Sequence, residues 1–219
     1  MSEPGDRRSD VTRRQLIHSA ATHFARKPYS LVSIDEVLAD AAVTKGAMYF
    51  HFRSKYALAT AVVQQWVEVS LASVAQVVAR RNSAVETLVD VTYLIAVEDI
   101  ADPLARAGFN LLESIGRSEQ IGRHVIGTWA EAFAPIAKRG QSDGDVSTNH
   151  DPVELARLLV SFYLGVRAST DLDDPARYLT DLERAWIMIL PAMATRDRTD
   201  YLTTFLKRRT ALAIARATS

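Results

Sequence analysis

A short run of residues near the N-terminus has the chemistry needed to contact a nucleic acid. Lys45 can donate hydrogen bonds to guanine O6 and N7 in the major groove, and the small residues Gly46 and Ala47 let a helix backbone approach base edges closely. Hydroxyl, imidazole and ammonium groups around this run suit phosphate oxygens. Phe50 and Phe52 are instead predicted to pack in the core. The candidate DNA-binding residues are Ser33, Thr44, Lys45, Gly46, Ala47, Tyr49, His51 and Lys55.

The patterns that mark enzymes and metal sites are missing from the sequence. The chain has no cysteine, which excludes disulfides, thiolate nucleophiles and cysteine-ligated metals. It contains no Gly-x-Ser-x-Gly, P-loop or Gly-x-Gly-x-x-Gly motif. His18 and His23 would lie about 140° apart around a helix, and the acidic run over 171–174 lacks the glycine and closing glutamate of a calcium loop. The sequence therefore predicts no enzyme activity, no cofactor and no metal.

Helical periodicity positions the candidate DNA-binding residues. Apolar residues recur on one face of a first helix, which is expected to end at Lys27 because Pro28 follows it. Ser33 and Glu36 have the spacing of a capping box that begins a second helix. Thr44 can cap a third helix over 45–50, and a fourth is predicted over 55–79. Three short helices with a tight turn over 41–44 describe a helix-turn-helix, whose last helix enters the major groove.

The rest of the chain is predicted to form longer helices. Three of them begin with a proline in the first turn, after an aspartate that can act as the N-cap. The longest loop is expected over 140–150, and no strand pattern or internal repeat is found. The predicted fold is all-α, with a helix-turn-helix head over 1–55 and a helical body over 56–219. The expected helices of the body cover about 84–101, 103–115, 119–140, 152–171, 175–194 and 199–216.

Charge is distributed unevenly although the formal net charge of the 219 residues is zero. Residues 7–57 hold nine Lys/Arg against four Asp/Glu, a local charge of +5, whereas residues 58–219 carry −3. A basic end is typical of a segment that meets a polyanion, although chance variation in surface charge explains the count equally well. The arginines at 7, 8, 13 and 14 are candidates for an arm in the minor groove or for a solvated tail. No secretory signal or long apolar run is found, which favours a cytoplasmic protein without membrane contact.

The helix-turn-helix segment resembles a known family. The run from Val43 to Lys55 resembles the signature of TetR-type transcriptional regulators, and the segments Ile34–Leu38 and Ala41–Val43 match the same pattern. One departure is Ala42, at a position in the turn where the family usually has glycine, so that a left-handed backbone there would be costly. The resemblance implies a homodimer, a palindromic operator in double-stranded DNA, and release of the DNA when a ligand enters the body.

A weaker resemblance, to the γ-butyrolactone autoregulator receptors, rests on the run Tyr49–Phe52, on Trp129, and on residues 181–186 followed by Leu190–Ala192. In that subgroup a tryptophan lines the ligand pocket, which implies the same role for Trp129. A small hydrophobic ligand also needs one or two polar groups to fix its orientation. Each polar candidate is also explained as a solvated or core residue, and Trp129 is equally well explained as an ordinary core tryptophan. The candidate ligand-binding residues are Trp129, Thr128, Asn110, Glu113, Tyr93 and Tyr163.

The predicted helix over 152–171 is apolar around most of its girth, which indicates burial on several sides. With the apolar residues of the next helix, it is predicted to form a four-helix dimer interface. The alternative is that the C-terminal helix of the same chain covers this surface, through Tyr201, Leu202, Phe205 and Leu206. The residues predicted for the interface on the second helix are Leu179, Leu182, Trp186, Ile189 and Leu190.

These observations together predict a ligand-responsive repressor, with γ-butyrolactones as one candidate class of ligand. Two alternatives stay open at this point. One is a constitutive DNA-binding or architectural protein whose body only dimerises. The other is an orphan receptor for antibiotics or biosynthetic intermediates.

Overall fold

The computed structural model describes residues 4–80, 82–117 and 120–218, and within these ranges the chain is helical without a β-strand. An isolated bridge pairs Val146 with Ala194. The all-α prediction is thus confirmed. In order, the helices are α1 (Pro4–Arg26), α2 (Ile34–Ala41), α3 (Lys45–His51), α4 (Lys55–Val78), α5 (Ala84–Ala101), α6 (Pro103–Ile115), α7 (Ile121–Ser142), α8 (Pro152–Ala168), α9 (Pro175–Met193) and α10 (Thr199–Ala217).

The helix starts follow the local sequence. Ser33 accepts a hydrogen bond from the backbone N–H of Asp35, and Glu36 accepts one from the N–H of Ser33, which forms the predicted capping box. The aspartates before α6, α8 and α9 each accept a backbone N–H in the first turn. The largest differences from the predicted boundaries are in α7, which covers Ile121–Ser142 rather than 119–140, and in α8, which ends at Ala168 rather than at residue 171.

The turn between α2 and α3 contains a strained residue. Ala42 has φ of 52° and ψ of 39°, in the left-handed region, as its position in the sequence suggested. A Cβ in this conformation is disfavoured, whereas glycine adopts it freely. We therefore expect Ala42→Gly to raise the free energy of unfolding by about 1 kcal/mol, measured by urea denaturation. An unchanged or lower value would show that the turn carries no such strain.

The chain divides into two compact units, and the first comprises residues up to Val69 together with Asp102–Gly122. Its core combines residues of α1, α3, α4 and α6, including Leu16, Phe24 and Met48, all essentially unexposed. Helix α6 contributes Gly108, where an added Cβ would lie 2.4 Å from the indole ring of Trp66. The predicted functional boundary at residue 55 does not coincide with this division, and stays a prediction about function.

The second unit comprises Ser70–Ala101 and the residues from Arg123 onward. Helix α10 packs against α5 and α9, and its Leu202 and Leu206 are fully buried. The C-terminal helix therefore covers an apolar side of α9. The apolar residues of α9 that α10 covers were predicted to form the dimer interface. This prediction is wrong for four of them, because they are fully buried within one chain. These residues are Leu179, Leu182, Trp186 and Leu190.

Helix α4 is long and apolar enough to cross a membrane, by length and composition alone, although polar residues interrupt its apolar run. Its side chains Leu58, Val62 and Trp66 are nevertheless buried inside the first unit. A core helix of a globular unit passes the same test, and this burial accounts for the apolar character of α4.

Candidate nucleic-acid interface and ligand cavity

Helix α3 is short, and it is held by a cap at its N-terminus and by one buried side chain. Thr44 caps it by accepting the N–H of Ala47 at 3.3 Å, and Met48 is fully buried. The opposite side of the helix faces outward, with Tyr49 and Phe50 exposed. A recognition helix needs such a face, on which side chains are not required by the core.

Phe50 does not lie in the core as predicted, because 80% of its surface is exposed, whereas Phe52 is buried as expected. The helical period explains the difference. Residue 50 lies about 200° around the helix from the buried Met48, so its side chain must point outward. Phe52 follows the helix with an extended backbone, which returns its ring to the core. The helical period of α3 was therefore the signal that identifies Phe50 as a surface residue. An exposed phenylalanine on this face can contact a thymine methyl group.

Lys45 lies at the start of α3 with its side chain largely exposed, and its ammonium is 3.7 Å from the Asp35 carboxylate. An ion pair between two exposed side chains contributes little stability and is screened by salt. The ammonium group can therefore exchange Asp35 for a base or phosphate at small cost.

Lys55 and Ser33 have structural partners of their own. The Lys55 ammonium lies 4.4 Å from the centroid of the Tyr29 ring, and desolvation lowers the pKa of Lys55. The Ser33 hydroxyl serves the capping box of α2. His51 is half-buried, with its ring edge-to-face with that of Phe50 at 5.1 Å. Contacts of these three side chains with DNA remain predictions.

Gly46 has no structural reason to be glycine. A Cβ added there would meet nothing within 4 Å, and alanine favours a helix by about 1 kcal/mol over glycine. We expect Gly46→Ala to keep or raise the free energy of unfolding, yet to weaken operator binding about tenfold, since the methyl group obstructs close approach to the groove. Denaturation and fluorescence anisotropy on the same preparation measure the two effects. Undiminished operator affinity would show that residue 46 does not approach the DNA.

In the second unit, Trp129 borders a small enclosed cavity of about 20 Å³, about the space of one water molecule. The indole ring is buried and lies edge-to-face with that of Phe133, at 6.0 Å between centroids. The remaining lining comes from α5 and α8 and is mostly aliphatic. The residues that line the cavity are Leu88, Thr92, Ile95, Trp129, Phe133, Leu159, Val160, Tyr163 and Leu164.

A buried polar network lies beside this cavity. Tyr163 donates to the Asp99 carboxylate at 2.5 Å and accepts from the Tyr178 hydroxyl at 3.0 Å. The Arg167 guanidinium lies 3.5 Å from the same carboxylate. Desolvation by burial, reinforced by Asp99, raises the pKa of Tyr163 well above its usual value. Tyr163 therefore stays a neutral phenol whose proton is directed to Asp99.

Four of the predicted ligand residues lie outside the Trp129 cavity. Asn110 belongs to the first unit, where its amide donates to the carbonyls of Phe24 and Ala25 at the end of α1. Glu113 is in the same unit and is exposed. Tyr93 borders a separate, more open cavity of about 120 Å³. The sequence showed the polar character of these residues but not the helix that each one faces.

The hydroxyl of Tyr93 is also already paired, since it lies 2.7 Å from the hydroxyl of Thr210. Thr128 is half-buried and is not among the residues that line the Trp129 cavity. The structure therefore brings together Trp129 and Tyr163 alone among the predicted ligand residues, and it adds Thr92 to them. Nothing in the local sequence distinguishes Thr92 from other polar residues of α5.

Helices α8 and α9 each retain an exposed face of small and apolar residues. On α8, Leu158 is about half exposed and Phe162 lies one turn later. On α9, Met188 is 82% exposed, and the half-buried Ala185 and Ile189 lie on the same side of the helix. This surface, here called the α8–α9 face, is distinct from the inward row of α9 that α10 covers. Within the described residues, no three His, Asp or Glu side chains are grouped to hold a metal ion.

The comparison with known protein families matches residues 16–62 to bacterial regulatory proteins of the tetR family. The A-factor receptor protein of Streptomyces griseus is 32% identical over 188 residues, which cover 85% of this chain and 65% of that protein's length. The transcriptional regulator AcuR of Cereibacter sphaeroides is 28% identical over 187 residues, covering 78% of this chain and 83% of the relative.

Solved structures extend the similarity through the body. A crystal structure of a γ-butyrolactone receptor, described as an ArpA-like protein, superposes with a TM-score of 0.75 at 27% identity, covering 93% of this chain and 98% of the other. CprB of Streptomyces coelicolor, solved in complex with its operator sequence, gives a TM-score of 0.73 at 27% identity, covering 91% and 97%. These relatives are transcription regulators rather than enzymes.

Proposed function

The chain belongs to the TetR family of bacterial regulatory proteins, and from that premise we propose that it is a ligand-responsive repressor. It binds a palindromic operator as a homodimer and is released by a small hydrophobic ligand. The observation that carries this proposal is the outward face of α3. There Lys45, Gly46, Tyr49 and Phe50 are presented to solvent within the segment that has a local charge of +5. Action on DNA also supports a cytoplasmic location.

DNA binding is tested with the upstream region of the protein's own gene. We expect a palindromic footprint and an affinity that falls steeply with salt, because neutralised phosphates release counterions. Lys45→Ala is expected to relax base preference and cost about 1–3 kcal/mol if Lys45 reads a base. Uniform weakening over all sequences would make Lys45 a phosphate contact, and a flat salt response would contradict the interface itself.

The partner in the homodimer is proposed to pack on the α8–α9 face. A monomer would leave Leu158 and Met188 in water, and paired α8 and α9 helices from two chains form a four-helix arrangement that buries them. Two-fold symmetry then presents two copies of α3 to the two half-sites of a palindrome.

The ligand is proposed to enter the Trp129 cavity. The relatives named as A-factor and γ-butyrolactone receptors make γ-butyrolactones the first compounds to test. At about 20 Å³ the cavity must expand to admit one, and the ligand shifts the equilibrium only by its higher affinity for the expanded state. Trp129→Ala is expected to keep operator binding and abolish ligand-induced release. Unchanged release would remove Trp129 from the site.

Two other functions would give different results in the same experiments. A constitutive DNA-binding or architectural protein would stay on its operator with every compound tested. An orphan receptor would ignore lactones and respond to antibiotics or biosynthetic intermediates. The apolar lining around Trp129 favours a regulator with a hydrophobic effector over the constitutive protein.

A further inference from the structure

Two side chains with hydroxyl groups border the Trp129 cavity, and each hydroxyl already donates a hydrogen bond within the protein. Thr92 donates to the backbone carbonyl of Leu88 at 2.7 Å, and Tyr163 donates to the Asp99 carboxylate at 2.5 Å. A hydroxyl group has one proton and two lone pairs. These two hydroxyl groups can therefore accept a hydrogen bond from a ligand but cannot donate one.

Asp99 fixes the direction of the Tyr163 hydroxyl. The carboxylate is fully buried and an ionised carboxylate can only accept, so the proton between the two side chains must come from the tyrosine. Turning that proton toward the cavity would remove a hydrogen bond from a buried charge, which is costly. The Tyr178 hydroxyl donates a hydrogen bond to one lone pair of the Tyr163 oxygen, and the other lone pair remains available to a ligand.

The uncharged lining of the cavity disfavours anionic ligands. Among the described residues that line the cavity there is no Lys, Arg, His, Asp or Glu. A carboxylate ligand would lose its hydration without gaining a cation from the lining.

We propose that the Trp129 cavity selects an uncharged ligand that donates a hydrogen bond, with Tyr163, oriented by Asp99, as the main acceptor and Thr92 as a second. The proposal rests on the proposed function, because it assigns a polarity to the ligand of that same site. Apolar contacts supply most of the affinity, and the two hydroxyl oxygens decide between ligands of similar size and shape.

The test compares three six-carbon probes that differ in polarity: 1-hexanol, pentyl methyl ether and hexanoate. Binding to the full-length protein is followed by the indole ¹⁵N–¹H signal of Trp129, assigned with the Trp129→Phe variant. We expect hexanol to bind about three- to tenfold more tightly than the ether, which lacks the donor. Hexanoate is expected to bind about 100-fold more weakly than hexanol.

Variants identify the acceptor. Tyr163→Phe is expected to reduce the preference for hexanol over the ether to within about twofold. Tyr93→Phe is the matched control, because it removes another buried, hydrogen-bonded hydroxyl that borders a different cavity, and it should keep the full preference. Thr92→Val is the second variant should Tyr163→Phe fold poorly, and it is expected to reduce the same preference.

The outcomes separate this proposal from the function on which it rests. Equal affinity for hexanol and the ether, or hexanoate binding as tightly as hexanol, would overturn the polarity assignment while leaving a ligand site at Trp129. A preference that survives in both Tyr163→Phe and Thr92→Val would overturn the assigned acceptors. If none of the probes, and no lactone, shifts the Trp129 signal, the proposed ligand site fails as well.

Discussion

Replacing Met188 with glutamate is expected to turn the full-length protein into a monomer and to weaken operator binding about 100-fold or more. Met188 is 82% exposed in the single chain, so glutamate there does not disturb the core. In the proposed dimer the same position is buried against the partner, where an unpaired carboxylate is strongly unfavourable. A monomer also loses the joint binding of two half-sites, which is the source of the large change in affinity.

Analytical ultracentrifugation measures the oligomeric state, and fluorescence anisotropy measures operator binding. Leu212→Glu is the matched control, because Leu212 is also an exposed apolar residue, with 52% exposure, but lies on α10 away from the α8–α9 face. It should remain a dimer with full affinity. A Met188→Glu protein that stays dimeric would place the interface elsewhere, and a Leu212→Glu monomer would point to α10.

Gly108→Ala is expected to lower the free energy of unfolding by about 2 kcal/mol or more. The added Cβ would lie 2.4–2.6 Å from three ring atoms of Trp66, and Trp66 is only 2% exposed. A buried indole cannot move aside as the end of a flexible chain would, so α6 and α4 must separate. This close approach is a packing requirement of the first unit rather than a feature of the DNA face.

Gly127→Ala provides the control for the change in helix propensity. Gly127 also lies inside a helix, but a Cβ there meets nothing within 4 Å. This variant is expected to raise the free energy of unfolding by up to about 1 kcal/mol. Urea denaturation of the two variants beside the unmodified protein gives both values. Similar effects at the two positions would mean that contact with Trp66 does not determine the cost at Gly108.

The local sequence was sufficient to predict the helix caps and the turn of the helix-turn-helix head. The capping box at Ser33, the cap at Thr44 and the left-handed Ala42 are decided within a few residues of the chain, because the hydrogen bonds and the backbone angle involved are local. The family signature in residues 43–55 follows from the same short segment. For this reason a DNA-binding function could be proposed from the sequence alone.

The sequence alone therefore determined the fold class, the helix-turn-helix and the resemblance to the TetR family. Tertiary structure decided which face each apolar or polar residue occupies. The apolar row of α9 is core because α10 covers it, and Met188 lies outside that row. Asn110 caps the end of α1, whereas Tyr163 meets Asp99, 64 positions away in the chain. Amphipathic periodicity shows that a helix has an apolar side, but the partner that covers it comes from distant parts of the chain, and the packing of those parts sets the ligand cavity.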